Sequence, residues 1–99
     1  MGSLSSIIIR KPSHDKVWEN YFKNGDFHKC PLCRLNYIDK SIHTIEKNYG
    51  CWRRTRKVSK TNGGSNHINN FLPICWQCNQ SAGNQDLKDF AKMMEYNYP

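Results

Sequence analysis

The spacing of apolar side chains predicts a helix near each end of the chain. After Ser13, a residue type that caps helix N-termini, apolar side chains recur at three- and four-residue intervals until the Asn24-Gly25 stop signal. These apolar positions are Val17, Trp18, Tyr21 and Phe22. A second amphipathic segment has an apolar face made of Leu87, Phe90, Ala91 and Met94. We therefore expect an N-terminal helix at 13–25 and a C-terminal helix at 86–96, both packed on a central unit.

The segment between these helices contains strand and turn signals. Residues 49–59 suit a strand, and residues 62–66 combine glycine with asparagine, which tolerate the positive φ of a tight reversal. A return strand or an ordered loop is then expected up to Phe71, followed by a short helix over 76–82. Residues 37–45 show no clean period, so we expect a loop or a short helix there.

The first twelve residues predict an extended arm. They are serine-rich, then apolar and basic, and they end at Pro12, a residue unsuited to a helix interior. The Ile7-Ile8-Ile9 run is too short for a secretory signal or a membrane span, so we expect no membrane partner. A chain of 99 residues has room for one small domain, which we assign to 13–99 after an arm at 1–12.

Five cysteines supply the clearest chemical signal. Only 37% of the residues are hydrophobic, and small chains of this kind commonly need a metal or disulfides to offset conformational entropy. Four cysteines form two pairs that are each separated by two residues, and Cys51 is left over as a small buried apolar residue. The paired positions are Cys30 with Cys33 and Cys75 with Cys78. Two such knuckles predict one tetrahedral Zn²⁺ with four thiolate ligands.

This zinc is expected to be structural, because four thiolates leave no open position for a water molecule. Disulfides are the alternative in a secreted protein, and iron is chemically compatible with four thiolates. The paired spacing favours zinc in a reducing compartment inside the cell, either cytoplasm or nucleus.

The net charge of +7 favours an anionic partner such as nucleic acid over a small-molecule substrate. Five cations fall within 53–60, the strand predicted above: Arg53, Arg54, Arg56, Lys57 and Lys60. Such a surface binds phosphates without reading sequence, and Trp52 and Tyr49 would stack on bases if exposed. The alternatives are a solvated strand face, a nuclear import signal, or a docking patch for an acidic protein.

A glycine- and asparagine-rich stretch before the second cysteine pair carries a family resemblance. Residues 63–79 read GGSNHINNFLPICWQCN, which resembles the HNH endonuclease family in its zinc-knuckle form. That family shows a cysteine knuckle, a catalytic histidine on a strand, a Gly-Gly turn, an asparagine, and a proline before the second knuckle. Asn70 takes the place of that asparagine, and Asn79 stands where the family carries histidine or asparagine. The resemblance covers 30–84 and implies an α+β fold, a ββα-metal zinc module between flanking helices.

The sequence departs from this family at the catalytic strand. Counting back from the Gly-Gly turn places Thr55 and Arg56 where the family has a metal ligand and the general-base histidine. Threonine is a poor substitute for a carboxylate, and arginine stays protonated and cannot activate water. His43 and His67 flank the unit and are the outside candidates for a displaced base, although a surface or hydrogen-bonded role explains both more simply.

Three hypotheses follow from these features. The first is a catalytically degenerate HNH-like zinc domain that binds nucleic acid through its basic strand, as an accessory subunit of DNA or RNA machinery. The second is an active nuclease with a displaced site, which would need a second divalent metal. The third is a structural zinc protein that docks into a larger assembly through its N-terminal arm and basic strand. Because HNH-like zinc modules also occur in large DNA viruses, a virion is one such assembly.

Overall fold

The computed structural model describes residues 9–44 and 49–99, and within them the chain forms three helices and two small antiparallel sheets. The predicted arm therefore lies mostly outside the described residues, including Ile7 and Ile8. Helix α1 (His14–Phe22) begins directly after Ser13, whose hydroxyl accepts a hydrogen bond from the Lys16 amide at 3.2 Å. Among the described residues, no helix combines the length and apolar character needed to cross a bilayer.

The first sheet is a short hairpin of strands β1 (Phe27–Lys29) and β2 (Tyr37–Asp39), which pair in antiparallel register. The prediction of a loop or short helix over 37–45 was therefore wrong at its start. Three residues are too few to show a period, and pairing with β1 stabilises the extended conformation that the local sequence does not specify. The turn of this hairpin contains the first cysteine pair.

The second sheet is a hairpin that runs directly into a helix. Strand β3 (Trp52–Arg56) pairs antiparallel with β4 (Phe71–Cys75), and α2 (Trp76–Ala82) follows β4 without a gap. Strand β3 is shorter than the predicted 49–59, and 3₁₀ turns at Lys60–Asn62 and Ile68–Asn70 shape the connection. All five residues of β4 are buried, so both faces of that strand are covered.

The core lies between this hairpin and the helices. Helix α1 inserts Val17 and Trp18, and the Trp18 ring lies 5.1 Å from the Trp52 ring, centre to centre. Helix α3 (Leu87–Met94) is shorter than the predicted 86–96 and begins after Asp86. Its buried residues are Leu87, Phe90 and Ala91, whereas Met94 of the predicted face is exposed. Burial of these large side chains is the main favourable term available to so short a chain.

The connection between β3 and β4 closes through Asn70 and Gly64. The Asn70 side chain accepts a hydrogen bond from the Val58 amide and donates to the Val58 and Ser65 carbonyls, at 2.9, 3.1 and 2.9 Å. A Cβ on Gly64 would meet the Val58 carbonyl oxygen at 1.8 Å. The loop therefore requires glycine here because two backbone segments lie in close contact.

Two histidines join α1 to the segment before β3. The His14 and His43 rings stack with centroids 3.8 Å apart, and both lie edge-on to Trp52. The pKa of His14 is lowered to about 4, first by desolvation and then by the nearby charge of Arg54. The folded protein therefore keeps His14 neutral at physiological pH.

Replacing Gly64 with alanine is expected to lower the free energy of unfolding by about 3 kcal/mol or more, because the new methyl group overlaps a backbone carbonyl. Gly63→Ala is the matched control: its φ is +89° but no atom lies within 4 Å of the added Cβ. That variant should lose only about 1–2 kcal/mol. Urea unfolding measures both, and equal losses would contradict the proposed backbone contact.

Acidification from pH 7 to pH 5 is expected to reduce the melting temperature partly through His14. The folded-state pKa of about 4 lies below the unfolded value of 6.5, so the unfolded chain binds more protons between them and stability falls as pH falls. In His14→Gln this part of the pH dependence should disappear. Thermal melts at matched pH compare the two proteins, and identical slopes would exclude a role for His14.

Candidate metal centre and basic cleft

Four cysteine sulfurs converge at one point between the two hairpins. The Sγ atoms of Cys30, Cys33, Cys75 and Cys78 all lie within 4.8 Å of one another. The Cys30–Cys78 and Cys33–Cys75 sulfurs are 4.0 and 3.9 Å apart, far beyond the ~2.05 Å of a disulfide. The predicted clustering of the paired cysteines is therefore confirmed, and Cys51 stays outside the group.

Local backbone geometry aims both cysteine pairs at this point. The first pair lies in the β1–β2 turn, where Arg34 adopts a positive φ of 56° and its amide donates to the Cys30 carbonyl. The second pair spans the β4–α2 junction, where the Cys75 sulfur accepts from the Cys78 amide at 3.4 Å. The Cys30 sulfur in turn accepts from the Cys75 amide at 3.3 Å, which links the two turns directly.

The pKa shifts of the cysteine thiols indicate that the cluster needs a cation to hold four thiolates. The pKa of Cys75 is lowered to about 2, because thiol hydrogen bonds from Cys30 and Cys78 stabilise its thiolate. The pKa of Cys30 rises to about 12 through its hydrogen bond with Cys75, and that of Cys78 rises through its hydrogen bond with Cys30. One sulfur therefore ionises at the expense of its neighbours. All four thiolates coexist only when a positive charge lies among them.

The donor set fits a four-sulfur metal ion. A tetrahedral ion with metal–sulfur bonds of about 2.3 Å has sulfurs about 3.8 Å apart, close to the two shortest separations here. Asn36 also donates its side-chain amide to the Cys75 sulfur at 3.4 Å, the kind of outer hydrogen bond that orients a metal ligand. Asn36 was not predicted from the sequence, because a lone asparagine near a cysteine knuckle carries no recognisable signal.

Thr55, Arg56 and Asn79, which the family resemblance predicts as the catalytic positions, lie close together but are not part of a second group of converging metal ligands in the described residues. Asn79 donates its side-chain amide to the Thr55 hydroxyl at 2.9 Å, across from β3 to α2. Arg56 donates to the Asn66 side chain at 2.7 Å and lies over the Phe71 ring. Across the described ranges 9–44 and 49–99, the four cysteines are the one group of His, Cys, Asp or Glu side chains with converging ligand atoms.

His43 and His67 lie away from these positions. His43 stacks on His14 and Trp52, and the His67 ring nitrogen accepts from the Asn69 amide at the start of a 3₁₀ turn. Neither residue lines the cleft that contains Thr55 and Asn79. His67 therefore has a capping contact, whereas the buried Nδ1 of His43 has no hydrogen-bond partner among the described residues.

The five predicted cations do not form one uniform face. Arg53 donates to the His43 carbonyl at 2.9 Å and Arg54 to the Pro12 carbonyl at 2.7 Å, so both also hold loops in place. In the described part of the chain, the one ion pair within 4 Å joins Lys40 to Glu19, so none of the five is paired there with a carboxylate. Trp52 is fully buried and cannot stack on bases, whereas Tyr49 is 81% exposed.

A cleft of about 220 Å³ lies beside β3 and gathers more basic side chains than the strand alone supplies. Arg54, Arg56 and Lys60 line it, and Lys11 joins them from the arm. Lys11 was not predicted from the sequence, because it stands 43 positions before Arg54 and no local pattern brings the two together. Polar side chains complete the wall: Thr55, Ser59, Thr61, Asn79, Asn84 and Gln85.

Replacing Cys30 with serine is expected to abolish stoichiometric metal binding and cooperative unfolding, because a fully buried ligand is lost. Metal analysis by mass spectrometry and circular dichroism measure the two effects. Cys51→Ala is the matched control and should keep about one ion per chain, since Cys51 lies outside the cluster. Metal retention in Cys30→Ser at the level of the control would contradict the assignment.

Comparisons of this chain with protein-family models, with curated proteins and with solved structures found no match. The function proposed below therefore depends on the geometry of the cluster and of the cleft.

Proposed function

We propose that this chain is a zinc-binding, HNH-like domain without a hydrolytic centre, and that it binds the nucleic-acid backbone through its basic strand. The observation that carries the proposal is the row of cations on β3 and the following turn. These cations are Arg53, Arg54, Arg56, Lys57 and Lys60, none of them paired with a carboxylate in the described part of the chain. Unpaired cations on a rigid hairpin attract phosphates and release counterions.

Zinc is the proposed ion because four cysteine sulfurs converge from two knuckles with suitable separations. When bound, zinc would supply folding energy and neutralise the thiolates, with no water-activating position left open. Cys30, Cys33, Cys75 and Cys78 would hold it. Such an ion would fix β1–β2 against the β4–α2 junction, and so would hold the basic strand in a defined place.

Three features support the HNH-like part of the proposal. A β-hairpin is followed at once by a helix, Asn70 closes the loop between the strands, and Asn79 of the helix contacts Thr55 of the first strand. Arg56 takes the place of the general-base histidine, and its guanidinium stays protonated. A positive charge near the place of a hydrolytic metal would attract the phosphate group that the metal would otherwise contact.

Binding to a short DNA or RNA duplex is expected to weaken steeply with salt, and Lys57→Gln/Lys60→Gln should make the negative slope of log K against log salt shallower by about 2. These lysines suit the test because, unlike Arg53, Arg54 and Arg56, their side chains make no hydrogen bonds to the described residues. Fluorescence anisotropy at several salt concentrations measures the slope.

Lys29→Gln/Lys92→Gln is the matched control, since it removes the same charge from exposed positions on β1 and α3. It should leave the slope close to that of the unaltered protein. A salt-independent affinity, or equal effects of the two double variants, would contradict binding through the basic strand. Plasmid cleavage with magnesium or manganese that is lost in His43→Ala or His67→Ala would instead establish a displaced nuclease site.

A further inference from the structure

The cleft beside β3 has the composition of an anion site. Arg54, Arg56 and Lys60 come from β3 and the turn that follows it, and a fourth cation, Lys11, comes from the arm. In the described part of the molecule, no aspartate or glutamate lines it. Four positive charges that meet in one cleft without a carboxylate repel one another, and a bound anion would remove that repulsion.

Hydrogen bonds from two side chains to backbone carbonyls of the N-terminal arm hold its described end against the wall of this cleft. The Asn66 side chain donates to the Ile9 carbonyl at 2.8 Å, and Arg54 donates to the Pro12 carbonyl at 2.7 Å. Lys11 lies between these two anchored residues, and its ammonium is 6.0 Å from the centre of the Phe71 ring. The arm therefore contributes Lys11 to a cleft whose other cations come from β3 and the turn after it.

Arg56 has hydrogen-bonding capacity left over. One terminal nitrogen donates to Asn66, and the guanidinium carbon lies 5.3 Å from the centre of the Phe71 ring. Its Nε is buried and has no hydrogen-bond partner among the described residues. A buried donor without a partner costs free energy unless a ligand or water satisfies it.

The pKa values of Lys11 and Arg54 are lowered, as expected for partly desolvated cations that lie close together. The pKa of Lys11 is lowered by desolvation and then by the charges of Arg54 and Arg56. The pKa of Arg54 is lowered by desolvation and then by Arg56. A bound anion would offset the part of each shift that comes from the neighbouring arginines.

We propose that this cleft binds a phosphomonoester, and that in the cell its ligand is the phosphorylated end of a nucleic-acid strand. The cleft volume of about 220 Å³ accommodates a phosphate group with its adjoining sugar. A terminal phosphate carries up to two negative charges near neutral pH, whereas an internal phosphodiester carries one, so four converging cations favour the terminal group. This inference rests on the proposed nucleic-acid function and adds a preference for strand ends.

The test compares short single-stranded oligonucleotides of one sequence that carry a 5′-phosphate, a 3′-phosphate or only hydroxyl ends. At constant salt, one phosphorylated form is expected to bind about tenfold more tightly than the hydroxyl form. Lys11→Gln should remove this preference, because Lys11 completes the cleft. Lys92→Gln removes the same charge from α3 and should retain it.

A second experiment distinguishes nucleic-acid strand ends from free phosphate compounds as the ligand. Inorganic phosphate and a nucleoside monophosphate are titrated into isotope-labelled protein, and amide chemical shifts are expected to move at Thr55, Asn79 and Asn84. Shifts at these residues without any oligonucleotide binding would support the phosphomonoester site and overturn the nucleic-acid function. Equal binding of all three oligonucleotides, or an end preference that persists in Lys11→Gln, would overturn the site while leaving salt-dependent backbone binding intact.

Discussion

The convergence of four cysteine sulfurs is the constraint on which the rest of the structure depends. The two pairs are 41 residues apart in sequence, yet their sulfurs lie within 4.8 Å of one another. The pKa of Cys75 is lowered first by hydrogen bonds from Cys30 and Cys78, whose own pKa values are raised, so four thiolates coexist when a cation balances their charge. An ion held in this way closes a long loop and adds stability that a small apolar core lacks.

Such an ion would fix a hairpin in which the apolar strand β4 is buried and the connection between the strands is closed by polar contacts. Gly64 and Asn70 close the β3–β4 connection on Val58, and Asn79 joins α2 to Thr55. Arg53 and Arg54 donate to backbone carbonyls and Arg56 donates to the Asn66 side chain, and none of the three is paired with a carboxylate in the described ranges. We propose that this charge serves a ligand from outside the chain, because surface cations without carboxylate partners add little stability of their own.

Sequence patterns predicted the elements that local chemistry specifies. Ser13 caps α1, α2 spans Trp76–Ala82 as expected, and the cysteine pairs meet. The β1–β2 hairpin was not predicted, because three-residue strands carry no period and form through pairing. Similarly, the place of Lys11 in the cleft depends on tertiary contacts of the arm, and the burial of Trp52 depends on packing against α1. Patterns within one segment can therefore be read from the sequence, and so can the cysteine pairs that share one chemistry, whereas distant contacts without such a shared signal cannot.

X-ray absorption spectroscopy at the zinc edge of the purified protein tests the central claim most directly. Four sulfur neighbours at about 2.3 Å, with no nitrogen or oxygen in the first shell, are the predicted result. This shell would place one zinc ion among Cys30, Cys33, Cys75 and Cys78. Absence of zinc, or a shell that includes nitrogen or oxygen ligands, would contradict a closed four-cysteine site and the rigid basic hairpin that depends on it.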